Sequence, residues 1–158
     1  MHLSPEWDNE AHVSVHLVQE MLLKAGIPKK IGLTTCWHPE FRIKMPRIDG
    51  EGFTEKRVDF LIEDRNRYVS FLIEIKSAKQ RINDNARFQL YDKYLYRSNI
   101  KYGILIDPFS IEVYEYGQSN PKAIFEIESP THIEPVAQCQ YDKPLKFRPA
   151  RYPKPMTL

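Results

Sequence analysis

Cysteine is nearly missing from this chain: there are two, Cys36 and Cys139, and they have no CxxC spacing. That is too few for a disulfide scaffold, and it fits reduced, inert thiols in a cytoplasmic protein. No stretch approaches the roughly 18 consecutive apolar residues of a membrane span, and the opening MHLSPEWDNE lacks the basic-then-apolar layout of a secretory signal. The expectation is a cytoplasmic chain with no membrane partner. His12 and His16 stand four apart, as paired metal ligands can, but no HExxH glutamate accompanies them, and they read as surface histidines. There is no internal repeat.

What is present argues for one folded domain. Apolar residues make up 42% and aromatics 12% of 158 residues, close to one domain's worth of chain with a real core. The net charge of +2 is unevenly spread. From Tyr141 onward, Lys143, Lys146, Arg148, Arg151 and Lys154 face a single acid, Asp142, while the remainder is acidic by two charges. Six prolines punctuate Ser129 to Leu158 without a helix or strand pattern. Residues 1–128 therefore read as the domain. Residues 129–158 read as an extended basic arm that wraps its own sheet edge or, more readily, a two-fold partner, making a homodimer.

Ser4-Pro5-Glu6 predicts a helix start, and Ala11, Val15, Val18, Leu22 and Ala25 predict its buried stripe. Gly26 and Pro28 end it. Residues 31–45 predict short strands broken at Pro39 and Pro46, with a loop at Ile48 to Gly52. KRVDFLIED, the turn DRNR and YVSFLIEIK predict an antiparallel hairpin. A helix over 79–98 and strands at 100–107, 111–116 and 123–128 complete a mixed α/β domain built around one sheet.

The chemistry concentrates in FLIEIKSAK, Phe71 to Lys79. Glu74 and Lys76 share one strand face, opposite Ile73 and Ile75. Hairpin pairing brings Asp59 across from Glu74. Two converging carboxylates repel unless a cation sits between them. A hard ion such as Mg²⁺, with Mn²⁺ as substitute, takes one or two carboxylates plus waters and phosphate oxygens. The carbonyl of Ile75 is a natural third oxygen, and Lys76 stands beside it to orient a water or offset charge on phosphorus.

An Asp on one strand followed on the next by Glu-x-Lys resembles the PD-(D/E)XK nuclease superfamily. The run NEAHVSVHLVQEMLLKAGI, RVDFLIED, VSFLIEIKSAK, QLYDKYLY, YGILID and IEVYEY, covering roughly residues 9 to 117, is similar to the N-terminal nuclease domain of type I restriction enzyme R subunits. The resemblance implies a restriction-endonuclease-like fold and hydrolysis of DNA. It also implies metal binding by Asp59, Glu74 and, directly or through water, Glu10, with Lys76 as the catalytic lysine. Gln89 matches the glutamine of a QxxxY motif, although Lys93 stands where the tyrosine belongs and Tyr94 comes one residue late. On an α-helix that offset turns Tyr94 about 140° away from Gln89 and into the core. Lys79, Arg87 and Lys93 are the candidate nucleic-acid contacts. No GxxxxGK[ST] loop is present, so the motor of type I enzymes is absent and the chain acts alone or serves a partner. The alternative is a catalytically silent nucleic-acid-binding or regulatory module.

Overall fold

A computed structural model describes residues 3–46, 50, 52–118, 120–131 and 147–149. A mixed seven-stranded sheet carries a helical layer on each face. Its strands are β3 (Trp37–Pro46), β4 (Phe53–Asp64), β5 (Val69–Ile75), β6 (Tyr102–Ile106), β7 (Ser110–Glu115), β8 (Ala123–Ile127) and β9 (Phe147–Pro149), in that spatial order. A small separate ribbon pairs β1 (Lys30–Ile31) with β2 (Thr34–Thr35). Every neighbouring pair in the large sheet is antiparallel except β5 and β6, which are joined by the helix that crosses between them. No helix among the described residues is long and apolar enough to cross a membrane.

Helix α1 spans residues 10–24 as Glu10–Val13, a π-helical Ser14–Val18 and Gln19–Lys24. Its N-cap is Asn9, whose side chain accepts from the Ala11 amide at 2.8 Å. Ser4-Pro5 begins a separate short 3₁₀ turn, Pro5–Asp8, where the Ser4 hydroxyl is turned to Glu6. The buried stripe also differs from the expected one. Val13, Leu17, Val18 and Leu22 face the core, while Val15 is 49% exposed. The π segment widens the spacing in mid-helix, so a stripe drawn at uniform 3.6-residue periodicity falls out of phase. Gly26 has φ +82°, and Ile27 and Gly26 donate to the carbonyls of Leu22 and Leu23, the paired closure of a Schellman motif.

β3 runs through Pro39 without a break and ends at Pro46; it lies at the edge of the sheet, where a missing N–H costs no ladder bond. The hairpin of β4 and β5 has the expected pairing, Phe60 opposite Ile73 and Asp64 opposite Val69. Helix α2 covers residues 84–98, shorter than expected at its start. Asn83 caps it, accepting from the Ala86 amide at 2.8 Å.

Alternate residues of β5 feed the two layers. Phe60, Ile62, Ile73 and Ile75 pack under α1, and Leu72 and Leu105 pack under α2 with Leu90, Tyr94 and Leu95. At Gly103 on β6 a side chain would meet Leu90 at 2.9 Å, so the absence of a Cβ lets α2 lie close. β9 pairs with β8 from Phe125 to Ile127. A strand therefore forms within 129–158, where none was expected, and the sheet continues past residue 128. Residues 132–146 and 150–158, including Cys139, lie outside the described residues.

Candidate active site

β4 and β5 pair from 60–64 to 69–73 and then part company. At the next rung, where Asp59 and Glu74 stand opposite each other, side chains replace the ladder. The Ile75 amide donates to Asp59 Oδ2 at 2.7 Å, and the Asp59 amide donates to Glu74 Oε1 at 3.3 Å. Both carboxyl groups thus fill one strand fork. The N–H and C=O of a strand residue lie on the same edge, so the Ile75 carbonyl is directed into this fork as well. The next residue turns the other way, and the Lys76 amide bonds the Ile106 carbonyl at 2.8 Å.

The electrostatics follow from that crowding. Burial, then the charge and hydrogen bonding of Asp59, push the Glu74 carboxyl up to about 8, and the Lys76 ammonium offsets only part of this. Glu10 at the start of α1 belongs to the same field. Its carboxyl is raised by burial, lowered by Lys76 and raised by Asp59. The contact that brings α1 there is visible: the Ala78 amide, two residues past Lys76, donates to the Trp7 carbonyl at 2.9 Å, and Trp7 is buried. Asp107 secures the other side of the same loop. It is almost fully buried and accepts from the amides of Ile82, Phe109 and Ser110.

Tyr94 corrects the sequence expectation. Residues Gln89–Leu95 are π-helical, so positions five apart lie above one another. The Tyr94 hydroxyl donates to Gln89 Oε1 at 3.4 Å. Burial and then the charges of Glu74 and Asp59 push the Tyr94 hydroxyl up to about 12, which places it beside the acids. The extra residue between glutamine and tyrosine is absorbed by the helix, and the two side chains meet. QLYDKY itself gives no sign of a π turn apart from the extra residue.

Arg87 is also corrected. Its Nε and Nη2 each donate to buried Glu112 at 2.8 Å and its Nη1 to exposed Asp84 at 2.7 Å, so its guanidinium is already engaged by two acids of this chain. Lys79 is exposed. Lys93 is exposed too, its ammonium 5.6 Å from the Phe88 ring. His12 is not a bare surface group: its ring meets Trp7 edge-on at 4.6 Å and His16 at 4.2 Å.

Among the described residues, no three His, Cys, Asp or Glu side chains form a metal-binding cluster. The fork instead offers two carboxylates and a backbone carbonyl, a donor set that suits Mg²⁺, which keeps several of its waters.

No protein-family model matches the sequence, and neither does any curated protein. Among solved structures, the chain is similar to the crystal structure of SSO0001, at 27% identity and TM-score 0.40 over 66% of this chain. It is also similar to the type IIG restriction endonuclease BpuSI, at 15% identity and TM-score 0.45 over 82% of this chain. The chain spans half the length of the first and 15% of the second.

Proposed function

We propose that the chain is a metal-dependent nuclease of restriction-endonuclease-like fold that hydrolyses phosphodiester bonds of DNA. The observation that carries this reading is the strand fork. Asp59 and Glu74 each accept from a backbone amide of the opposite strand, with Lys76 two residues beyond Glu74 and Glu10 within their field. A fold gains nothing from forcing two carboxyl groups together with so little cationic compensation, whereas a divalent cation would relieve that repulsion.

Asp59, Glu74 and the Ile75 carbonyl would hold Mg²⁺ or Mn²⁺, with Glu10 reaching it through water. Bound there, the ion supplies Lewis acidity toward a phosphate oxygen and toward water. Lys76 orients the attacking water and offsets the negative charge that builds on the phosphoryl oxygens. Gln89, fixed by Tyr94, presents its amide to the nucleic acid beside the acids. The basic residues Lys143, Lys146, Arg148, Arg151 and Lys154 would add phosphate-binding charge, in one chain or across a homodimer.

The test is a cleavage assay on plasmid and linear DNA with Mg²⁺ or Mn²⁺, run beside Asp59→Ala and Lys76→Ala. Cleavage by the wild type that falls by roughly 10²-fold or more in both variants supports the reading. Wild-type protein that binds DNA without cutting it, alike with either ion, points instead to a silent nucleic-acid-binding module.

A further inference from the structure

β4 is much longer than its partner β5. Its residues 53–58 pair with β3 alone, so a two-stranded ribbon projects from the very point where Asp59 enters the fork. One side of the ribbon is anchored: Ile43, Met45 and Val58 are buried in the layer under α2. The other side is solvent-facing and basic. Arg42 and Arg57 are directly opposite each other in the register, so their side chains share a face, and they are 62% and 55% exposed.

Like charges in directly opposed positions destabilise a ribbon. Their counter-charges here are weak. Arg42 reaches Glu55 at 3.7 Å and Arg57 reaches Glu40 at 4.0 Å, both long contacts to exposed acids. The placement is specific as well. Arg57 and Asp59 are two residues apart on β4, about 6.8 Å from each other along it. That distance is on the order of one or two nucleotide steps of a strand.

We propose that Arg42 and Arg57 form a clamp for a backbone phosphate of the polynucleotide, one or two nucleotides from the bond positioned at the acid fork. This rests on the nuclease reading for its register. The chemistry is sequence-independent: two guanidinium groups give planar donor pairs to phosphate oxygens and carry no base information. The clamp sets where the strand lies relative to Asp59, and the ribbon's buried side keeps it rigid.

The experiment is equilibrium binding of a short fluorescein-labelled DNA duplex to the full chain in EDTA, across a salt series. Arg42→Gln/Arg57→Gln is expected to weaken binding and to lower the slope of log K against log salt by at least about 1. Arg42→Lys/Arg57→Lys keeps the charge and is expected to keep the slope. Lys122→Gln, at the far side of the sheet, where Lys122 pairs with Glu115, is expected to leave it unchanged. A slope unaltered in the glutamine variant, lost equally in the lysine variant, or shifted as much by Lys122→Gln overturns the clamp, as does a wild type that binds no duplex. Because metal is excluded, the two readings separate. Arginine-dependent binding without cleavage keeps the clamp and removes the nuclease. Cleavage with an indifferent slope does the reverse.

Discussion

One transverse row of the sheet carries two acids, one half-buried and one buried, with opposite circumstances. Glu74 on β5 lies beside Leu105 on β6, and Leu105 lies beside Glu112 on β7, so a single leucine separates them on the same face. Glu112 is saturated: two Arg87 nitrogens and the Tyr114 hydroxyl all donate to it at 2.8 Å. Glu74 has another carboxyl for a neighbour and one ammonium that compensates only in part. The more deeply buried acid is the one whose partners are complete, so burial alone does not mark a functional acid. The distinction lies in whether the fold completes the acid's partners or leaves them to something else.

The largest effect is expected on the saturated side. Glu112→Ala strands the Arg87 guanidinium and the Tyr114 hydroxyl, and should cost about 3 kcal/mol in chemical denaturation. It should leave metal binding measured on the folded protein unchanged. Stability unaffected by this change would remove the contrast.

Glu74→Gln should behave in the opposite way in metal-free buffer. The folded-state carboxyl titrates near 8, well above its ordinary range. A raised folded pKa means the native state holds its proton more tightly than the unfolded chain. The stabilisation is fully present below about pH 4.5 and is lost as pH rises through about 8. Wild-type apo protein should therefore melt at progressively lower temperature between these limits, an effect on the order of 1–2 kcal/mol. The glutamine variant should flatten that dependence and equal or exceed wild type at the alkaline end. An unchanged slope would show that Glu74 is an ordinary structural acid.

Much of this contrast was written in the sequence, and the unread part has identifiable causes. Hairpin alternation placed Asp59 opposite Glu74 because period-2 patterning and the DRNR turn fix register locally. It could not reveal that the strands separate at that rung, where β4 goes on with β3 and β5 with β6. Glu112, within the alternating IEVYEY, carried no mark of burial, because its partner Arg87 is 25 residues away and only α2 packing joins them. Arg87 accordingly read as a surface cation. Tyr94 was rightly placed in the core, but Val15 was misplaced and Tyr94 was wrongly parted from Gln89 for one reason: uniform α-helical periodicity was assumed across segments that are π-helical.

Tyr94 gives the finest test of the comparison, since it touches both layer and site. It is a core residue by burial, yet its hydroxyl lies in the field of Glu74 and Asp59 and donates to Gln89. Tyr94→Phe preserves the ring and its packing against Leu72 and Leu105. It removes one long hydrogen bond at a half-buried amide, so the stability change should be no more than about 1 kcal/mol. If the π-helical register exists to hold Gln89 at the acid fork, the same change frees that amide to rotate. DNA cleavage should then fall by roughly 10-fold while the melting temperature hardly moves, and binding in EDTA should keep its salt slope. Equal cleavage by Tyr94→Phe and wild type would show that the hydroxyl only fills a polar corner of the core. A matched loss of stability and cleavage would place Tyr94 with Glu112, among the groups that hold the sheet together, and not with Glu74.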